Sequence, residues 1–110
     1  MNNAEILKTL SDEDLVGQVL SYDIYDHDDP QEVEKIIREI RPGAIYLSQM
    51  TYEKIRMYTD MANKYTKIPV SVMTDIEFGP GENLPDLPVM PNPMAWSACD
   101  DPELVEEAAE

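Results

Sequence analysis

The chain has 110 residues, enough for one small domain, and its 43% hydrophobic content is that of a globular protein, not a disordered one. Its formal charge of −15 argues against nucleic acid and anionic membrane surfaces as partners, because both need clustered Lys and Arg. There is no apolar run of about eighteen residues to span a membrane, no basic and apolar leader of secretory type, and no partner for an internal disulfide at the single Cys99; a cytoplasmic setting is therefore expected.

Ser11-Asp12-Glu13-Asp14 opens the first predicted helix, a Ser cap with acids in the first turn. Leu15, Val16, Val19 and Leu20 then fall on one face at helical spacing. A polar, acidic turn is expected from Ser21 to Asp29. Asp29-Pro30-Gln31-Glu32 starts a second helix, with Val33, Ile36, Ile37 and Ile40 as its apolar stripe, and Arg41-Pro42-Gly43 stops it. Ala44-Ile45-Tyr46-Leu47 reads as a strand. Thr51 is placed to cap a third helix carrying Ile55, Tyr58, Ala62 and Tyr65 on one side.

Val70 to Thr74 reads as a second, buried strand, and it runs into Asp75-Ile76-Glu77-Phe78-Gly79-Pro80-Gly81. In parallel α/β folds, ligand-contacting residues sit where strands end at their C-termini. Asp75 and Glu77 are thereby the candidate binding residues. Two positions apart on an extended segment, their side chains are expected on the same side. Residues 76–93 hold five of the nine prolines and two of the four glycines, so irregular loop is expected there. Asp101-Pro102-Glu103 begins a last helix. Strand, helix and strand at this spacing predict a βαβ unit with parallel strands. Two such strands do not make a stable sheet, so the chain is expected to be the first part of a larger α/β domain, doubly wound or a barrel.

Four segments, in order, resemble the N-terminal portion of glycoside hydrolase family 3, the exo-acting β-glucosidases and β-N-acetylglucosaminidases. They are Leu10 to Leu20 with its Gly17-Gln18 pair, Arg41-Pro42-Gly43-Ala44-Ile45-Tyr46-Leu47, Ile68 to Gly79, and Leu87-Pro88 through Met94-Ala95-Trp96 to Leu104. The resemblance implies a (β/α)8 barrel, which needs about 250 residues; residues 1–110 are then expected to be its truncated opening segment, inactive as a fragment. It implies a retaining exo-β-glycosidase of carbohydrate metabolism, acting on β-glucoside-like substrates without a metal or other cofactor.

Retaining glycosidases use two carboxyl groups, one as nucleophile and one as acid/base. In the resembled family both come from later in the chain, so no catalytic residue is assigned here. The aspartate at the position of Asp75 binds sugar hydroxyls in the −1 subsite. An ionised carboxylate, acceptor-only and rich in lone pairs, suits that task. Glu77 is a second substrate-binding candidate or a brace for the loop. Many members follow the glutamate with two glycines and an arginine. Here Phe78 replaces the first glycine and Pro80-Gly81-Glu82-Asn83 follows without an arginine, which leaves the sugar open. Asn83 is placed to form a turn or to offer an amide to a sugar.

Other features carry less. The acids between Asp23 and Asp29 lack the spacing, glycine and closing glutamate of a calcium loop, and Pro30 falls on a ligand position. His27 is the only histidine, which excludes a paired-histidine zinc site. No metal site is expected. The methionines read as core and interface filler, and Trp96 as a packing residue or a sugar platform. The expected partners are a carbohydrate substrate and the remainder of the barrel or an oligomer partner. A reading from another class stands beside this one: a small acidic α/β interaction module without catalysis.

Overall fold

A computed structural model describes residues 3–109. Its order is α1 (Asn3–Leu7), α2 (Asp12–Gly17), β1 (Ser21–Tyr25), α3 (Pro30–Ile40), β2 (Ala44–Ser48), α4 (Tyr52–Tyr65) and β3 (Ser71–Met73), then α5 (Pro93–Ala98) and α6 (Pro102–Ala109). A short 3-10 turn lies at Pro80–Glu82. The chain divides into two compact units, one up to Thr74 and one from Asp75.

The first unit is a mixed α/β structure around a three-stranded parallel sheet in the order β1-β2-β3. Tyr22 lies opposite Ile45 and Ile24 opposite Leu47; Ile45 in turn lies opposite Val72. Alternation along each strand puts these residues on one face. On that face Ile24, Ile45 and Leu47 join Val33 and Ile37 of α3 and Tyr58 and Ala62 of α4 in a single buried cluster. Both connecting helices therefore pack on the same side of the sheet. Ser21, Asp23 and Tyr25 of β1 project from the opposite face, in register with Ala44, Tyr46 and Ser48.

The helix starts follow the cap chemistry of the sequence. Ser11 and Asp14 form a reciprocal box, the Asp14 amide donating to Ser11 Oγ and the Ser11 amide to Asp14 Oδ2 at 3.0 Å. The Gln31 amide donates to Asp29 Oδ1 at 3.0 Å, with Pro30 in the first turn, where a missing amide proton costs nothing. Thr51 caps α4 through its hydroxyl. Helix α3 ends with Arg41 in the left-handed region at φ 47°. Its guanidinium donates to Asp14 Oδ1 at 2.7 Å, so the position carries a side chain that a capping glycine would lack.

Three expectations need correction. The stretch expected as an acidic turn from Ser21 to Asp29 begins with strand β1, which its period-two alternation and pairing with β2 stabilise despite Asp23. Helix α2 stops at Gly17, and its expected apolar face is not buried: Val16 is 60% exposed and Val19 83%, while Asp14 and Gly17 are the buried residues. The strand after Val70 is exposed along Ser71–Met73, because it lies at a sheet edge and pairs only with β2. Val70 itself is buried. Helix α1 had no sequence signal strong enough to predict it.

In the second unit, α5 and α6 are capped by side chains. The Ala95 amide donates to Asn92 Oδ1 at 2.8 Å and the Leu104 amide to Asp101 Oδ1 at 3.1 Å. The start of α6 matches the sequence expectation, whereas α5 lies at the end of the segment expected to be loop.

Candidate functional site

The loop from Asp75 to Pro91 is built from its own hydrogen bonds. Asp75 lies two residues beyond Met73, the last residue of β3, and is exposed. Its carbonyl accepts from Asn83 Nδ2, and Asn83 is buried. A buried amide is costly unless bonded, so this bond ties the main chain at Asp75 to the turn that follows Pro80. Asn83 thus acts as a brace, in keeping with the turn role expected of it.

Glu77 lies in a turn closed by the Gly79 amide donating to the Ile76 carbonyl at 3.1 Å. The extended geometry expected for Asp75 and Glu77 therefore ends before Glu77. The Phe78 amide donates to Glu82 Oε2 at 3.0 Å, and the Met90 amide to the Phe78 carbonyl at 2.6 Å. Glu82 is a loop-forming residue that the sequence reading passed over; its spacing of four from Phe78 was the available signal. Gly79, at φ 75°, has Met90 Cγ within 2.6 Å of where a Cβ would stand, so conformation and space both call for glycine there. Gly81 donates to the Pro88 carbonyl at 3.0 Å, which joins the two ends of the proline-rich segment.

Glu77 also borders a groove of about 430 Å³ lined by Ile76, Met90, Trp96, Val105 and Ala108. Trp96 is partly buried in this wall. The chemistry available is that of an exposed carboxylate, Asp75, on a fixed main chain, and a second carboxylate, Glu77, beside an apolar and aromatic surface. The first suits hydroxyl groups; the second suits a ligand with both polar and apolar faces. Among the described residues, no three His, Cys, Asp or Glu side chains gather so as to hold a metal ion. Nor is any described helix long and apolar enough to cross a membrane.

At the N-terminal end of the sheet lies a different constellation. Asp14 is only 4% exposed and receives Lys67 Nζ at 2.8 Å as well as the Arg41 guanidinium. The Lys67 ammonium, followed by the Ser11 amide, holds the Asp14 carboxyl far below the usual carboxylate range. Lys67 also donates to the Thr9 carbonyl at 3.1 Å. Both oxygens of the Asp14 carboxylate are paired, and the cluster ties α2, the end of α3 and the approach to β3 together. Its role is structural. No family model and no curated protein sequence matches this chain.

Proposed function

We propose that this chain is the opening portion of a (β/α)8 barrel in a retaining exo-β-glycosidase resembling glycoside hydrolase family 3, and that Asp75 accepts hydrogen bonds from hydroxyls of the terminal sugar. The observation that carries the reading is an exposed aspartate just past the C-terminal end of a parallel strand, its main chain held by a buried asparagine. Three parallel strands in sequential order, with both connecting helices on one face, support the barrel part of the proposal. The polar residues on the other face, Ser21, Asp23 and Ser48 among them, fit a barrel interior better than a helix-covered face of a doubly wound sheet, which reads as continuously apolar.

In this reading the nucleophile and the acid/base belong to later strands, and Asp75 contributes binding that strengthens as the sugar ring distorts. Glu77 serves the same subsite from the adjoining turn. The protein works in the cytoplasm and needs no cofactor. The test is hydrolysis of 4-nitrophenyl β-glycosides by the full-length protein and by its Asp75→Ala variant. Loss of turnover with an unchanged circular dichroism spectrum supports the assignment, and unchanged kinetics refute it.

One observation favours the second reading, an acidic interaction module. Val16 on α2 and Val19 just beyond it present an uncovered apolar surface, of the kind that marks a protein contact. A stable, partner-saturated species with no affinity for glycosides would favour that reading over the first.

A further inference from the structure

The C-terminal end of β1 carries an aromatic pair to which nothing above assigns a role. The rings of Tyr25 and His27 stack with centroids 5.8 Å apart and planes 22° from parallel. Neither is a core residue: Tyr25 is 43% exposed and the His27 side chain 84%. The loop that carries the pair is held at three points. The Tyr25 amide donates to Asp28 Oδ2 at 2.8 Å. Lys54, from α4, donates to both the carbonyl and the carboxylate of Asp26, at 2.9 and 2.7 Å. The hydroxyl of the buried Tyr58 reaches the Asp28 carbonyl at 3.5 Å.

The placement is as informative as the exposure. Tyr25 lies opposite Ser48, the last residue of β2, so the pair stands at the same end of the sheet from which all three strands exit. That end is where parallel α/β structures bind their ligands. An exposed, stacked aromatic pair finds its complement in an apolar C–H face. A pyranose ring presents such a face.

We propose that Tyr25 and His27 form a stacking platform for a pyranose ring, a carbohydrate subsite distinct from the hydroxyl-binding role of Asp75. The platform deepens the glycosidase reading and rests on it for the identity of the ligand. The ring lies over the outer Tyr25 face, where its C–H bonds meet the negative face of the aromatic system, and His27, stacked on Tyr25, backs it. Asp26 and Asp28 keep the loop in shape; they are positioning residues here.

The experiment is a proton NMR titration of the full-length protein, its His27 signals assigned by comparison with His27→Gln, with methyl β-D-glucopyranoside and cellotriose, repeated in Tyr25→Ala, Tyr25→Phe and Asp75→Ala. The expected result is a saturable shift of the His27 signals, weakened about fivefold by Tyr25→Ala, kept by Tyr25→Phe, and still present in Asp75→Ala. A His27 signal that stays unmoved while the Asp75 amide shifts overturns the platform and leaves the glycosidase reading standing. A His27 shift that survives Tyr25→Ala unchanged also overturns the platform. A platform shift in Asp75→Ala without any effect of that substitution on sugar binding or turnover removes Asp75 from the site and leaves the platform standing.

Discussion

The Gly43 amide donates to the Gly17 carbonyl at 2.8 Å, and neither glycine has room for a side chain. A Cβ on Gly17 would stand 2.2 Å from the Arg41 carbonyl oxygen, and one on Gly43 would stand 2.3 Å from that of Gln18. Backbone meets backbone at this crossing, so the end of α2 sits directly against the turn that feeds β2. The Gly17-Gln18 pair and Arg41-Pro42-Gly43, far apart in the sequence, are one physical contact.

The first prediction concerns that contact. Gly17→Ala and Gly43→Ala must each push backbone apart, since no flexible side chain is there to yield. Overpacking of this kind costs about 1–3 kcal/mol. Urea denaturation of each variant should show a lower midpoint with an unchanged slope. A wild-type midpoint in both would mean that the crossing is loose.

The Asp14 cluster should contribute to the acid sensitivity of the fold. A carboxyl whose folded pKa is depressed stabilises the fold at pH values above its unfolded pKa, about 3.9. That contribution is lost as pH falls further, toward the folded value. The melting temperature should therefore hold, as far as this group is concerned, down to about pH 4 and fall below it. Asp14→Asn should lower the melting temperature at pH 7, where Lys67 and Arg41 lose their counter-charge, and should flatten the acid decline. A decline equally steep in the variant would assign acid sensitivity to other groups.

Ile37 is fully buried between α3 and the sheet. Ile37→Ala should cost about 2–5 kcal/mol through lost transfer energy and the cavity left behind. By contrast Val19→Ser, at an exposed site, should change stability by about 0.5 kcal/mol or less. Equilibrium denaturation of the two variants separates a core built on α3, α4 and the sheet from one that includes the segment after α2.

Asn83 should matter to the loop rather than to the fold as a whole. Asn83→Ala removes the donor to the Asp75 carbonyl, at a cost of about 1–3 kcal/mol for the polar group left behind. Hydrogen exchange should accelerate across residues 75–84 while the strands of the first unit keep their protection. Uniform acceleration would mean that the loop is part of the global unfolding unit.

Helices α3 and α4 were legible in the sequence because caps and stripes agree. Asp29-Pro30 and Thr51 mark the starts, and Val33, Ile37, Tyr58 and Ala62 are the residues that reach the core. Strand β1 was not legible, since five residues with an aspartate at their centre carry little propensity and owe their extended form to pairing with β2. Leu15 to Leu20 shows the converse failure: the apolar spacing is helical, but Gly17 ends the helix by docking on Gly43, and Val19 is left exposed. The position of Asp75 after a strand was readable. Its anchoring by Asn83, and the role of Glu82 at the Phe78 amide, depend on how the loop folds back, which spacing along the chain does not encode.

Asp75 carries the proposed glycosidase activity most directly, and kcat/KM for 4-nitrophenyl β-D-glucopyranoside is the measurement that tests it. The full-length protein should hydrolyse this or a closely related β-glycoside with retention of configuration. Asp75→Ala should reduce kcat/KM by about 100-fold or more, the scale of a charge-assisted bond that tightens in the transition state. No hydrolysis of any β-glycoside by the full-length protein, or an Asp75→Ala variant as active as the wild type, would contradict it.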